Sequence, residues 1–308
     1  MSRSATVALV GRPNAGKSTL LNALVGEKVA IVSHRPQTTR NRIVGILTEP
    51  RGQVVFFDLP GVHRPLHRLN AAMMKDVRDA LREVDVVLHL VDASQPWGGG
   101  EDYLLELLAP VSSPVIGVLN KVDLVRPKTL LLPLLDRYRR ARPSGVVVPV
   151  SALDGDGLDD LRAELFAALP EGDPLYPGDL TTTQRERFFI AEVVREKVLA
   201  LTRGELAFAS AVVVDEHDES EQLLRVSATI YVEREGQKAI LIGRRGQMIR
   251  SIGQAAREDL ERVLGIRMYL ELRVKVHPRW REDARLLHAM SPGQADLGLE
   301  GLELERDE

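Results

Sequence analysis

Between residue 5 and about residue 170, short continuous apolar runs alternate with stretches whose apolar positions recur every three or four residues. The runs at 5–10, 42–48, 53–57, 86–91, 115–119 and 146–150 are mostly Val, Ile and Leu, as expected of strands covered on both faces. The stretches at 17–25, 69–83, 101–109, 128–140 and 157–169 predict amphipathic helices. This alternation predicts an α/β fold, an open, mostly parallel sheet with helices on both faces. Glu49-Pro50-Arg51-Gly52 is a turn signal between two runs, which allows an antiparallel hairpin and makes the sheet mixed.

The pattern then changes. Residues 170–178 are dense in Pro and Gly and break the alternation. Beyond them, 184–202 predicts a helix with Phe188, Phe189, Val193, Val194, Val198 and Leu201 inward. Strands follow at 210–215 and 223–233, with the acidic stretch 216–221 read as the turn between them. An apolar run, 239–242, leads into Gly243-Arg244-Arg245-Gly246. A helix of about 18 residues comes next, with Met248, Ile249, Ile252, Ala255, Ala256, Leu260 and Leu264 inward. A strand at 268–276 and a short helix at 279–289 complete an α+β domain. The expected domains are therefore 1–173 and 183–290, joined by a linker at 174–182. The tail, 291–308, has six acids against Arg306 and reads as disordered and solvated.

Composition narrows the classes. The 308 residues include no cysteine, which excludes disulfides, cysteine-ligated metals and thiol catalysis and suits a reducing cytoplasm. No apolar run approaches the ~18 residues that span a membrane. The first strand pattern begins by residue 5, so no leader is expected. His63 and His67 are four apart but lack HExxH, and read as surface. Net charge is only −3, so a bulk electrostatic case for nucleic acid fails. Locally the picture differs: residues 243–285 carry eleven basic and six acidic side chains. That basic patch is the footprint that RNA binding requires.

The chemistry is concentrated in short motifs. Gly11-Arg12-Pro13-Asn14-Ala15-Gly16-Lys17-Ser18, followed by Thr19, lies between a strand and a helix and fits GxxxxGKS. Its glycines allow close backbone approach, and its N–H groups and helix terminus face an anion. Lys17 can reach terminal phosphates and Ser18 can ligate magnesium. Asp58-Leu59-Pro60-Gly61 ends the third run; there Asp58 can hold magnesium and the Gly61 N–H can meet a γ-phosphate. Pro36-Gln37-Thr38-Thr39-Arg40 offers a second hydroxyl to the metal, from Thr39 or, as the weaker choice, Thr38. Asn120-Lys121-Val122-Asp123 closes the fifth run. Asp123 can accept from guanine N1–H and N2–H₂, a donor pair adenine lacks. Asn120 can brace the loop and reach the N7 edge, and the Lys121 stem can cover a base face. In Ser151-Ala152-Leu153, the Ala152 N–H is a candidate donor to guanine O6. Lys17, Asn14, Thr39 and Gly61 are the candidates for hydrolysis, with Ser18, Thr39 and Asp58 for the metal. At Val62, where Ras-like proteins place a water-orienting glutamine, an aliphatic chain predicts slow intrinsic turnover.

Gly243-Arg244-Arg245-Gly246 matches the GxxG loop with which KH domains clamp single-stranded RNA. Arg244, Arg245 and Arg250 supply positive charge there. Ile242, Ile249 and Ile252 are candidates for an apolar groove, although each also suits plain core packing. Trp280 reads as a core anchor.

GRPNAGKS, QTTRN, DLPG, NKVD and SAL, in this order and spacing, resemble the translation-factor-related GTPases. With the second domain, including 268–276 and Trp280-Arg281, they resemble the Era family of ribosome-assembly GTPases over about residues 3–290. Leu59 departs from the DTPG common in that family. The resemblance implies a P-loop GTPase domain followed by a KH-type RNA-binding domain, with GTP/GDP and Mg²⁺ as cofactors and slow GTP hydrolysis. It implies potassium near Asn14 as a hydrolytic aid. It also implies binding to the 3′ region of 16S rRNA on the 30S subunit, as a monomer, in the cytoplasm and with peripheral contact at the inner face of the cell membrane. Other classes remain open at this point. One is a constitutive RNA-binding protein with a degenerate nucleotide domain, which the intact Lys17, Ser18 and Asp123 oppose. The other is a GTPase of tRNA modification or trafficking, which the KH-like motif opposes.

Overall fold

A computed structural model of the chain describes residues 2–35, 38–62, 68–142, 145–202, 206 and 209–290. Pro36, Gln37, His63, His67 and the 291–308 tail lie outside the described residues. The chain divides into two compact units, Met1–Thr182 and Thr183–Glu308.

In the first unit, Arg3–Gly11 (β1) leads to Lys17–Val25 (α1), Ile43–Glu49 (β2) and Gly52–Asp58 (β3). Arg68–Glu83 (α2), Val86–Asp92 (β4), Gly99–Leu108 (α3) and Val115–Asn120 (β5) follow. Leu131–Ala141 (α4), Val147–Pro149 (β6) and Leu158–Ala168 (α5) complete it. The sheet order is β2-β3-β1-β4-β5-β6. Only β2–β3 is antiparallel, and the four other pairings are parallel. The turn at 49–52 therefore makes the hairpin it signalled. The strands β3 and β5 are buried along their whole length, which explains their unbroken apolar runs.

The core positions the strand ends that carry the motifs. Ala8, Val10, Val55 and Phe57 pack with Met74, Val77 and Leu81 of α2 and Leu104 and Leu108 of α3. Val91 and Leu119 pack with Leu131 and Tyr138 of α4. Gly117 is glycine because Tyr138 crosses β5 there: an added Cβ would lie 2.6 Å from its ring. The sixth apolar run, 146–150, gives only three strand residues. The 128–140 pattern begins as a 3₁₀ turn, Lys128–Leu130, before α4, whose third residue, Pro133, suits a first turn. Residues 175–182, within the expected linker, are hydrogen-bonded to the hairpin. The buried Gln53 amide meets the backbone of Leu175 and Tyr176, and the Ile46 N–H donates to the Thr181 carbonyl.

The second unit contains Glu186–Leu201 (α6), Ala211–Glu219 (β7) and Leu224–Val232 (β8). Glu235–Ile242 (α7), Gln247–Leu264 (α8), Met268–Val276 (β9) and Ala284–Ala289 (α9) follow. The strand order is β7-β8-β9; β8 is antiparallel to β7 and parallel to β9. The alternate residues Val226, Ala228, Ile230 and Val232 of β8 are buried with Phe188, Val193 and Val194 of α6 and Ile252, Ala256 and Leu260 of α8.

Four expectations change here. The acidic residues 216–219 are strand, because pairing with β8 and a bulge at Val214/Glu216 outweigh their turn preference. The run 239–242 is the end of a helix, α7, whose start is capped by Gln237 Oε1 accepting from the Glu233 and Arg234 N–H groups. Leu201 is exposed at the end of α6. The 279–289 segment is a 3₁₀ turn, Trp280–Glu282, followed by α9, which Asp283 caps.

Candidate functional site

β1 ends at Gly11, where an added Cβ would sit 2.6 Å from the Leu90 carbonyl oxygen. The chain then turns through Asn14 (φ 65°) and Gly16 (φ 92°) into α1. Left-handed residues in such a loop favour anion-binding concavities, and Asn14, Gly16, Lys17, Ser18 and Thr39 line one pocket. At Gly16, a Cβ would also meet the Asn120 amide at 2.3 Å. The Lys17 ammonium is buried and donates to the carbonyls of Gly11 (3.4 Å) and Arg12 (3.3 Å). The Asn14 amide donates to the His34 carbonyl (2.8 Å), tying the loop to the segment ahead of the threonines.

Three of the expected metal-binding side chains converge. Ser18 Oγ donates to Asp58 Oδ2 at 2.5 Å, Thr39 Oγ1 donates to the same oxygen at 3.3 Å, and the two hydroxyls are 3.1 Å apart. Thr38 turns elsewhere, its hydroxyl donating to the Arg35 carbonyl, so Thr39 is the hydroxyl brought to the cluster. Asp58 Oδ1 is buried with no hydrogen-bond partner among the described residues. Burial pulls the Lys17 ammonium below its ordinary pKa against the carboxylates of Asp58 and Glu101. Burial lifts the Asp58 carboxyl, against Lys17 and the two hydroxyls. A buried lysine short of negative charge and a buried carboxylate short of positive charge fit a polyphosphate and a divalent cation. Gly61 packs its backbone on Pro13, since an added Cβ would lie 2.8 Å from Pro13 Cα. The Val62 N–H donates to the Gly11 carbonyl, and the Val62 side chain is buried in the α2–α3 core. The Leu59 side chain is in that same core, which is why its difference from threonine leaves the polar cluster intact.

The loops expected to read the base lie at the ends of β5 and β6. Asn120 is buried and uses both ends of its amide as a brace, donating to the Ala15 carbonyl (2.9 Å) and accepting from the Ala152 N–H (3.0 Å). The two roles read for Asn120 and Ala152 at the base are thus joined in one internal bond. Ser151 Oγ donates to Asp123 Oδ1 at 2.8 Å and so orients the carboxylate. Lys121, at φ 65°, pairs with Asp92 Oδ2 at 2.6 Å. Sequence reasoning missed Asp92. It closes β4 as Asp58 closes β3 and Asn120 closes β5, and that shared position at strand carboxyl ends was the available signal. Leu153 is exposed beside this loop.

In the second unit, Gly243 (φ 70°), Arg245 (φ 49°) and Gly246 (φ 74°) make a tight loop between α7 and α8. A Cβ on Gly243 would lie 2.8 Å from Met248 Cβ. Arg244 and Arg245 are exposed, and among the described residues no carboxylate pairs with either. Arg250 instead donates to the Arg245 carbonyl and braces the loop. Ile252 is wholly buried and belongs to the core, while Ile242 and Ile249 are half-buried beside the loop and Ile240 is exposed. Trp280 is an anchor: it is buried and its indole donates to the Ala209 carbonyl.

The family profile described as 50S ribosome-binding GTPase matches residues 6–121, and that of the KH domain matches residues 208–281. GTPase Era of Geobacter metallireducens is 47% identical over 92% of this chain and 96% of its own length. GTPase Era of Carboxydothermus hydrogenoformans is 48% identical over 91% and 94%. A crystal structure of Era in complex with MgGDPNP and nucleotides 1506–1542 of 16S ribosomal RNA superposes with a TM-score of 0.89, at 39% identity, covering 94% of this chain and 99% of that one. A point variant of Aquifex aeolicus Era bound to GDP·AlF4⁻ gives a TM-score of 0.88 at 39% identity, with 94% and 98% covered. The phosphate loop, guanine loops and KH loop stand on one chain related to these proteins along nearly its whole length, and the chain belongs to the Era family of GTPases.

Proposed function

We propose that this chain is a GTP-hydrolysing switch that binds the 3′ region of 16S rRNA and acts in assembly of the 30S subunit. One observation carries the reading: the same chain holds the Lys17–Ser18–Thr39–Asp58 cluster and an unpaired Arg244-Arg245 loop. Support comes from the Era structure carrying a GTP analogue and nucleotides 1506–1542, which this chain matches along 94% of its length.

In this reading the 11–18 loop N–H groups and Lys17 hold the phosphates, and Asp123, oriented by Ser151, selects guanine. Ser18, Thr39 and Asp58 hold magnesium, with the unpartnered Asp58 Oδ1 as the buried oxygen that fits it. When bound, the cation neutralises charge on the β- and γ-phosphates. Thr39 and Gly61 sense the γ-phosphate from two segments, so hydrolysis releases both. Val62 cannot orient water, which makes intrinsic turnover slow, and Asn14 is the loop residue placed to assist through potassium. Among the described residues no helix is long and apolar enough to cross a membrane. The switch works in the cytoplasm, with contact at the inner face of the membrane peripheral.

The RNA half has a direct test. Replacing Arg244 and Arg245 together by alanine is expected to weaken binding of a 16S rRNA 3′-end fragment and to lower the salt slope by about 1.4, the scale for two phosphate contacts on a single strand. Titrations between low and moderate salt read it. An unchanged slope removes these side chains from the interface.

A further inference from the structure

Glu101 is a buried acid that the mechanism above does not use. Its side chain is 3% exposed, in the first turn of α3. Its Oε1 faces the Arg12 guanidinium at 3.7 Å, and its Oε2 faces His89 Nε2 at 3.7 Å. Neither Oε2 nor His89 Nε2 has a hydrogen-bond partner among the described residues. His89 is itself wholly buried, held at Nδ1 by the Tyr138 hydroxyl (3.1 Å). The helix terminus does not explain this burial. Asp102, in the same first turn and facing solvent, already offers the negative charge that a helix start favours. Burying a second, incompletely bonded carboxylate costs stability.

What Glu101 does touch is the phosphate loop. The Arg12 side chain lies across the beginning of α3 so closely that a Cβ on Gly100 would sit 2.9 Å from Arg12 Nε. The Arg12 carbonyl in turn accepts from Lys17 Nζ (3.3 Å) and from the Ala15 N–H (3.2 Å). The next residue, Pro13, is the surface on which Gly61 packs. The stretch 11–13 is thus where the lysine, the glycine of the Asp58–Gly61 motif and α3 meet.

We propose that Glu101 is a positioning residue for the nucleotide: acting through Arg12, it holds the Arg12–Pro13 segment against α3 and so fixes the carbonyl on which the Lys17 ammonium rests. The inference depends on the phosphate-binding role proposed for Lys17. It predicts a loss of nucleotide binding, because Lys17 contacts the phosphates of GTP and GDP alike before any bond breaks.

Arg12→Ala and Glu101→Gln are expected each to weaken both GDP and a non-hydrolysable GTP analogue by about tenfold, the scale of one charge-assisted contact. The double variant should be no weaker than Arg12→Ala alone, and Arg12→Lys should restore most of the affinity. Arg12 is 41% exposed, so the Arg12 variants test the proposal where Glu101→Gln does not fold. Fluorescent-nucleotide titration on the full chain, with a thermal melt of each variant, reads all of this. Nucleotide affinity in Arg12→Ala within twofold of the parent overturns the proposal, as does a Glu101→Gln variant that melts early yet binds normally, or a double variant whose losses multiply. A parent chain that binds neither nucleotide would instead remove the phosphate-loop reading itself.

Discussion

Lys17→Ala is expected to abolish measurable GTP turnover, with a loss of at least about 10²-fold, the scale of removing one preorganised donor from a charged transition state. The reason is local. Lys17 is buried, and among the described residues its ammonium donates to the carbonyls of Gly11 and Arg12 at 3.3–3.4 Å, which leaves its third N–H for a phosphate oxygen. Among the described residues the neighbouring cation, Arg12, does not substitute for it, because it points to Glu101. Phosphate release by the purified chain and the variant, side by side, checks this. The parent should itself be slow, since the buried Val62 has no polar atom with which to orient water. Potassium should raise the parent's rate over sodium, and Asn14→Ala should level the two. A Lys17→Ala variant that turns over at the parental rate would show that the activity comes from elsewhere.

Asp123→Asn is the second large effect. The carboxylate is fixed by the Ser151 hydroxyl at 2.8 Å, leaving its acceptor capacity for a base edge with two donors. The amide accepts with one atom and presents a donor with the other, so one guanine contact is kept and the other becomes a donor–donor clash. At about 1.5–3 kcal/mol for a bond to a charged group, GTP affinity falls by about 10²-fold. Preference for guanine over adenine should relax with it. Competition by unlabelled ATP and GTP against a bound fluorescent guanine nucleotide measures both. Retention of a strict guanine requirement would contradict the assignment.

Features set by a few adjacent residues were legible in the sequence. The phosphate loop is one, because its backbone needs glycines at fixed spacing between a strand and a helix. Asp58 and Asp123 are others, each read from its place at the end of an apolar run. What sequence could not resolve is contact across long separations. Thr38 and Thr39 are neighbours with the same hydroxyl, and only the turn back to Arg35 tells them apart. Asn120 braces a carbonyl 105 residues earlier, and Lys121 finds Asp92 29 residues earlier. The buried Glu101 looks in sequence like any helix-start acid. In the second unit, 239–242 was too short to reveal its period, and the acids of β7 read as a turn until β8 paired with them. Periodicity likewise put Ile252 on the correct face of α8 without distinguishing core from groove.

A GTP-driven switch requires that nucleotide state control RNA binding. The measurement is the affinity of the full chain for a 16S rRNA 3′-end fragment at one fixed salt concentration, first with a non-hydrolysable GTP analogue and magnesium, then with GDP and magnesium. Binding is expected to be at least about tenfold tighter with the analogue, a coupling of about 1.4 kcal/mol. Equal affinity in the two states would contradict it, leaving a GTPase and an RNA-binding domain that share a chain without a switch between them.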